Sequence, residues 1–327
     1  MSVIDRYSTY LLPRYSNYPC GRYVSLLLVR KVESEAIFRT EGSGEPLNRE
    51  FVFAGRRDGE RQGEQIIPRI VISKRKQTAV ERRTGRELLR RYELLGATKT
   101  GHCTLNTNTP CERCIDCMIY GYAAGGGGAQ KSRVITDDAF SLHSADLVVG
   151  ERQFNALFDN STMRNPENRA ASTSIGTDEY VRPETTFIDI ETLKDVTPDE
   201  LRYVLGNILR SARYGAISSR IGKLDNIIAG VIFSDCELFS NLELTQNGLR
   251  SARQRQRATL SRCMSARSCR PFARAADELR GEVAGQYVAL SADEIGDLRR
   301  EIVELYSNEE ALVSMLRRQT ESYGSQA

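Results

Sequence analysis

Four cysteines lie within fifteen residues, in the order Cys103-x7-Cys111-x2-Cys114-x2-Cys117, and His102 stands beside the first of them. Two residues between cysteines allow a tight turn to aim both sulfurs at one ion, at about 2.3 Å for Zn²⁺. Four sulfur ligands would complete the coordination shell, so the spacing predicts a structural zinc site. Buried free thiols and an iron–sulfur cluster are the alternatives, because four cysteines would also serve a cluster.

A glycine-rich segment, Gly125–Ser132, follows the cysteines and has the sequence GGGGAQKS. A nucleotide-binding loop has the pattern G-x4-G-K-[ST], and Gln130 stands where the last glycine is required. We therefore interpret the segment as a flexible loop, with nucleotide binding as the alternative. Its amides, with Lys131, Ser132 and Arg133, could still contact an RNA phosphate.

Paired carboxylates offer a second kind of chemistry. Asp189 and Glu191 share one face of a predicted strand and could hold Mg²⁺, and Asp235 with Glu237 has the same spacing. Acidic residues at strand ends more often form caps or surface ion pairs, and both interpretations stay open. The chain has only two histidines, which leaves one possible pair for histidine acid–base catalysis.

Basic residues are strongly segregated although the net charge is only +3. Lys74–Arg91 holds eight basic residues against two acids, and Arg250–Arg274 holds eight arginines and no carboxylate. Such blocks create local positive surface, and two of them favour a polyanionic partner over two solvated helix faces. Arg210, Arg213 and Arg220 flank a loop of small residues that would let guanidinium groups approach phosphates closely.

Hydrophobic patterning predicts the elements that must position these groups. Strands are expected at Tyr23–Val32, Ile66–Lys74, Thr186–Glu191 and Ile227–Phe233, with Glu237–Leu244 as a further candidate. Helices are expected over Gln77–Leu95, interrupted at Gly85 and Gly96, and from capping boxes that begin at Thr197 and Ser291. Asn48–Gly63 is predicted to be a loop and Arg152–Arg182 an irregular hairpin. The order of elements fits an α+β, ferredoxin-like sandwich with long insertions.

The cellular compartment follows from composition. No stretch approaches the roughly 18 apolar residues of a membrane helix. The first ten residues lack the apolar region of a signal peptide. We therefore expect a soluble cytoplasmic protein with no membrane partner, whose eight cysteines serve as thiols or metal ligands rather than disulfides.

A series of motifs resembles one known family. In chain order they are RKQTAVERRTGRELLRR, the C-x2-C-x2-C run with its glycine loop and KSR, AFSL, ERQFNALFDN, VRPETTFIDIETL, TPDELRYVLGNILRSARYGAISSRIG and IIAGVIFSDCELFSNLELT. From about Tyr15 to Gln246 the series resembles the backbone subunits of type I-D CRISPR Cascade complexes, in the RAMP superfamily.

The resemblance implies an organisation of the chain. An RRM-like palm would comprise residues 15–97 and 183–246, with a zinc-binding and glycine-loop insertion at 98–132. A thumb-like excursion would occupy residues 150–182, with Met163 as a wedge between bases. Residues 247–327 would form a basic and then helical C-terminal region. Its arginine-rich part lies beyond the best-matching motifs, and three interpretations of it stay open: binding of a target strand, binding of a neighbouring subunit, and disorder.

The resemblance also implies a non-catalytic function in antiviral defence. Copies of the subunit would line up along a CRISPR RNA, hold it by sugar and phosphate for pairing with a DNA or RNA target, and contact the other Cascade subunits. The guide contacts expected on this basis are Lys74, Arg75, Lys76, Arg82, Arg83, Arg86, Lys131, Ser132 and Arg133. The alternative is a metal-dependent ribonuclease of the same superfamily that cuts target RNA with Asp159 or Asp189.

Overall fold

The fold is known from a computed structural model. It describes residues 2–38, 46–55, 65–98, 101–105, 107, 109–125, 128–155, 157–172, 175–215, 222–255 and 276–324. The strands are β1 (Tyr23–Val32), β2 (Arg49–Phe53), β3 (Ile66–Ile72), β4 (Ala97–Thr98), β5 (Gly101–His102), β6 (Tyr122–Ala124), β7 (Gly128–Gln130), β8 (Val134–Thr136), β9 (Ala139–Ser141), β10 (Val149–Asn155), β11 (Ile175–Val181), β12 (Thr186–Lys194), β13 (Leu224–Ser234) and β14 (Tyr287–Ala289). The helices are α1 (Val3–Arg6), α2 (Lys74–Arg91), α3 (Ile115–Tyr120), α4 (Ala145–Val148), α5 (Pro198–Arg210), α6 (Asn241–Arg255), α7 (Ala292–Ser307) and α8 (Glu309–Gly324).

Strand β1 lies inside the main sheet, between β13 and β12, and its stretch Leu26–Val29 is apolar and buried on both faces. Leu26 and Leu28 pack into the core that α5, α7 and α8 cover, whereas Leu27 and Val29 pack into a second core with Leu244 of α6. A strand buried on both sides has no face that needs polar residues, which explains why its sequence runs apolar without alternation.

The main sheet has the order β14-β13-β1-β12-β9-β3-β2, with β8 also paired to β12. Every pairing in it is antiparallel. The four strands predicted from hydrophobic patterning at Tyr23–Val32, Ile66–Lys74, Thr186–Glu191 and Ile227–Phe233 are therefore confirmed as β1, β3, β12 and β13. The chain has a mixed α/β fold built on an antiparallel sheet. Among the described residues, none of the helices combines the length and the hydropathy that crossing a bilayer requires.

Both predicted capping boxes are confirmed. The Thr197 hydroxyl accepts a hydrogen bond from the Glu200 amide at 3.3 Å, and Glu200 Oε2 accepts one from the Thr197 amide at 2.8 Å. The same arrangement begins α7: the Glu294 amide donates to Ser291 Oγ at 3.3 Å, and the Ser291 amide donates to Glu294 Oε2 at 2.9 Å. Because the box uses only groups three residues apart, it begins each helix at the predicted residue.

Two predicted elements are wrong. The candidate strand Glu237–Leu244 is instead the approach to α6, whose first turn has its own cap: the Glu243 amide donates to Ser240 Oγ at 3.3 Å, and the Ser240 amide donates to Glu243 Oε2 at 2.9 Å. The predicted loop Asn48–Gly63 contains β2, which pairs with β3, and its residues 56–63 lie outside the described part of the chain.

Helix α2 begins at Lys74, three residues before the predicted start, and continues through Gly85 without the predicted interruption. Gly85 marks a close crossing with α5. A Cβ atom placed on it would lie 2.3 Å from the Tyr203 hydroxyl and 2.5 Å from Asn207 Nδ2. The glycine therefore permits the two helices to approach closely and does not end the helix.

A buried ionic cluster ties α2 to the sheet. The Arg30 guanidinium of β1, fully buried, lies 3.0 Å from Glu81, 2.6 Å from Asp189 and 2.6 Å from Glu191. It also donates to Asn226 Oδ1 at 2.8 Å. A guanidinium thus occupies the face of Asp189 and Glu191 that a magnesium ion would need, so the interpretation as a metal site is corrected: the pair serves a structural ion cluster.

The cluster contains more negative than positive charge, which predicts a pH dependence. Burial, and then the Glu81 carboxylate, raise the pKa of Glu191 well above its ordinary value of 4.5. The folded protein therefore retains a proton that the unfolded chain loses, and stability falls as pH rises above that value. Relative to Glu191→Gln, the wild type is expected to lose unfolding free energy as pH rises above 4.5, by at most about 1.4 kcal/mol per pH unit, until the folded carboxyl group itself loses its proton. Urea denaturation of both proteins at pH 5, 6 and 7 measures this slope, and parallel profiles would contradict it.

Candidate metal centre and basic groove

The four clustered cysteines converge in space. The sulfur atoms of Cys103, Cys111, Cys114 and Cys117 all lie within 4.8 Å of one another. Tetrahedral zinc with sulfur ligands at about 2.3 Å would require sulfurs about 3.8 Å apart, so the four groups fit one metal ion. His102 is exposed in β5 and is not a member of this cluster. The predicted clustering of the four cysteines is confirmed, and their sulfurs lie close enough together to hold one metal ion.

Local structure explains the convergence. Cys114 is the N-cap of α3 and Cys117 lies in its first turn, so one helical turn brings both sulfurs to the same side. The Cys103 amide donates to the Gly96 carbonyl at 3.0 Å, which anchors the end of the β4–β5 hairpin beside the helix. The backbone amide of Cys111 donates to Cys103 Sγ at 3.3 Å. Hydrogen bonds from Cys111 and the other cysteines, and from Arg86, lower the pKa of Cys103 and so favour the thiolate that binds metal.

Two arginines of α2 form hydrogen bonds with the same carboxylate, which lies within the cysteine motif. Asp116, fully buried, accepts from Arg82 Nε at 2.9 Å and from Arg86 Nη1 at 2.6 Å. Arg82 also donates to the Gly121 carbonyl at 2.8 Å, and Arg86 donates to the Cys103 carbonyl at 2.6 Å. These contacts fasten the cysteine segment to the basic helix. The number of basic residues in the sequence does not indicate that Arg82 and Arg86 bind a buried carboxylate.

A groove of about 930 Å³ opens beside this junction. Its walls come from the first half of α2 and from the segment that follows the glycine loop, about 55 residues later. Seven of the predicted guide contacts line it: Lys74, Arg75, Lys76, Arg82, Arg83, Lys131 and Ser132. Sequence analysis missed Tyr120, Leu105 and Thr136, which also line the groove, because their types carry no charge signal.

Arg86 and Arg133 do not belong to the groove, which corrects their predicted role. Arg86 is 4% exposed and is held by Asp116 and Cys103. Arg133 is 8% exposed, and donates to Glu200 Oε2 at 2.9 Å and to the Asp195 carbonyl at 2.8 Å. Both guanidinium groups are buried and held by internal acceptors, so neither is placed to bind a phosphate in the groove.

The remaining predicted contacts lie elsewhere. Arg210 is exposed and stands over the Tyr306 ring, with 5.7 Å between the guanidinium carbon and the ring centroid, and Arg213 is exposed at the end of the same segment. Arg220 lies outside the described residues, as do residues 256–274 of the arginine-rich stretch. Gly215, which precedes Arg220, lines the groove.

The predicted hairpin at residues 152–182 is confirmed as the antiparallel ribbon β10–β11. Beyond it the chain folds back on itself: the Ser172 amide donates to the Met163 carbonyl at 2.7 Å, and Arg164 forms a bridge with Ala171. Met163 is half-buried in this excursion. Its position relative to bound bases remains a prediction.

Comparison with known proteins agrees with this architecture. The family model described as "Csc2 Crispr" matches residues 10–316. The crystal structure of Thermofilum pendens Csc2 is similar in fold, with a TM-score of 0.59 and 17% identity over 98% of both chains. A chain of a structure described as a CRISPR RNA-guided surveillance complex has a TM-score of 0.48 and 10% identity over 86% of this chain and 99% of that one, too distant a likeness to support an argument. No curated protein matches the sequence. The match over nearly the whole chain places this protein in the Csc2 family of CRISPR proteins.

Proposed function

We propose that the protein is a non-catalytic backbone subunit of a type I-D CRISPR effector complex and binds CRISPR RNA in the groove beside α2. The observation that carries the proposal is the convergence of basic side chains from two distant segments on one groove. Membership in the Csc2 family supports the CRISPR context.

The groove suits a ligand recognised by its backbone. Lys74, Arg75 and Lys131 are exposed and line the groove from two distant segments, so a phosphate chain bound there would be neutralised by both segments. A guide has no fixed sequence, so the protein must hold sugar and phosphate and leave base edges free for pairing with the target.

The order of elements supports an RRM-like palm. Along the chain β1, α2, β9, β12, α5 and β13 follow a βαββαβ pattern, and in the sheet β13, β1, β12 and β9 are neighbours in that order. We propose that residues 15–97 and 183–246 form the palm together with β9, and that residues 98–132 insert the metal-binding module. The excursion at residues 150–182 would act as the thumb, with Met163 separating bases.

The metal in our proposal is a structural Zn²⁺ held by Cys103, Cys111, Cys114 and Cys117. Four sulfur ligands leave no open coordination position, so the ion would contribute folding free energy and no catalysis. A separate observation supports a non-catalytic protein. Arg30 binds Asp189 and Glu191 in the core, which removes one candidate catalytic carboxylate pair from solvent.

Other parts of the proposal concern partners. Copies of the subunit would line up along one guide, and the basic residues beyond Arg250 would meet the target strand, which is DNA or RNA, or a neighbouring subunit. We expect the assembly with the other Cascade subunits to form in the cytoplasm.

A ribonuclease footprint tests the proposed function. The chain is co-expressed with a CRISPR array, purified, digested lightly with ribonuclease, and the protected RNA is sized. A ladder with a constant step is expected, because identical subunits side by side protect equal lengths of guide. A single short fragment, or no RNA, would contradict the backbone function.

A further inference from the structure

We propose that Arg82, Asp116 and Arg86 couple the metal centre to the groove, so that metal binding positions the wall that contacts RNA. The inference rests on the proposed function, since it concerns how the same groove is regulated. It assigns Asp116 the role of a positioning residue that touches neither the metal nor the RNA.

The first step is the contact between α2 and the metal ligands. Arg86 donates to Cys103 Sγ at 3.5 Å through Nη1 and to the Cys103 carbonyl at 2.6 Å through Nη2. Four thiolates around a divalent ion carry a net charge of −2, and burying that charge requires positive groups nearby. Arg86, 4% exposed, supplies one such charge.

The second step is the shared carboxylate. Asp116 stands between two metal ligands, Cys114 and Cys117, on one turn of α3. A bound ion would fix both cysteines and with them the direction of the Asp116 side chain. The carboxylate oxygen Oδ2 accepts from Arg86 at 2.6 Å and from Arg82 Nη2 at 3.0 Å, so it joins the two arginines.

The third step is the position of Arg82 between the groove and the cysteines. Arg82 lines the groove and also a smaller cavity of about 430 Å³ bounded by Cys103 and Cys117. Its second contact, the Gly121 carbonyl, lies where the chain leaves α3. A Cβ atom on Gly121 would lie 2.4 Å from the Gln130 carbonyl oxygen, which shows how tightly this point packs against the segment before Lys131.

Together these contacts fix the second wall of the groove, which Lys131 and Ser132 line, to the end of α3. The Arg133 amide donates to the Ile119 carbonyl at 2.8 Å. On the other side Gln130 pairs with Tyr122, just after the helix, so the segment that carries Lys131 and Ser132 is held beside the end of α3 at both of its ends. Release of the metal would free α3 and move this wall away from the basic helix. RNA affinity would fall although no cysteine contacts RNA.

The test uses the full-length protein with and without metal, and a labelled single-stranded oligouridine as the RNA probe. Removing the metal with a chelator is expected to weaken RNA binding by about 5–150-fold, the usual range for coupled sites. By thermodynamic reciprocity, bound RNA must strengthen metal retention against the chelator by the same factor. Fluorescence anisotropy and metal release measure the two factors independently.

Asp116→Asn and a matched control locate the coupling. The Asp116→Asn variant keeps all four cysteines, and we expect its metal affinity to fall about 10–100-fold, as for other residues that orient metal ligands. RNA affinity of the metal-loaded variant is also expected to fall. Glu112→Gln removes an exposed carboxylate between Cys111 and Cys114 and should leave both affinities unchanged.

The outcomes separate the inference from the proposed function. Wild-type protein that binds no RNA with metal present would overturn the proposed function itself. Tight RNA binding that is equal with and without metal would overturn only the coupling. If the metal-free protein unfolds, the loaded Asp116→Asn variant decides: RNA affinity equal to that of wild type and Glu112→Gln would also overturn the coupling.

Discussion

Cys114→Ser is expected to release the metal ion and to abolish the cooperative folding of the cysteine module. Cys114 is fully buried, caps α3 and supplies one of four sulfurs, so the variant leaves three ligands and an incomplete coordination shell. Structural zinc contributes apparent binding free energies of about 10–16 kcal/mol in zinc-finger peptides, nearly all of it folding free energy. Elemental analysis should show a fall from about one ion per chain to a small fraction of that.

Thermal unfolding supplies the second measurement for this variant. We expect an early transition or a loss of the cooperative one, because the cysteine segment then loses the ion that would join α3 to Cys103 and Cys111. Cys236→Ser is the control, since Cys236 is half-buried outside the cluster. Unchanged metal content and an unchanged melting temperature in Cys114→Ser would contradict a structural metal.

The second large effect is expected from neutralising the groove. The triple variant Lys74→Gln, Arg75→Gln and Lys131→Gln removes three exposed positive charges that line the groove. For single-stranded nucleic acid each phosphate contact contributes about 0.7 to the slope of log affinity against log salt, so the slope should fall by about 2. The loss of RNA affinity between 50 and 200 mM salt should then shrink by roughly twentyfold.

A control with the same change of charge separates the groove from net charge. Arg299→Gln, Arg300→Gln and Arg317→Gln remove three exposed arginines from α7 and α8. Equal effects of the two triple variants on the salt slope would mean that the protein binds RNA by its total charge and that the groove has no special function.

Features that depend on neighbours in sequence were predicted well. The capping boxes at Thr197 and Ser291, and the cysteine spacing, need only groups a few residues apart, so the sequence carries all the information. The same rule would have found α6, because Ser240 and Glu243 form a third capping box. The apolar residues of that segment favour a strand, whereas its capping box indicates the start of a helix.

Features that depend on distant partners were not predicted. Arg133 lies in a basic run, but its acceptor is Glu200, 67 residues later in the chain. Nothing local to Arg133 distinguishes it from Lys131, which is exposed. A basic run therefore predicts a positive surface without showing which of its side chains reach that surface.

Helix α2 held a signal that charge counting overlooked. Gln77, Glu81, Gly85 and Leu88 are spaced as one stripe of a helix, and all four are buried. A charged residue in line with buried positions is a candidate for an internal ion pair, and Glu81 indeed meets Arg30 at 3.0 Å. Arg86 lies three residues before the buried Leu89 and follows the same rule.

The close crossing at Gly85 has a consequence for how the groove could be dissected. Tyr203 and Asn207 of α5 occupy the space that any larger side chain would need, so a methyl group added at Gly85 must displace either those two side chains or the basic helix. Gly85→Ala would retain every cation of α2, so any change in RNA binding would come from the packing of α2 against α5 and not from a change in charge.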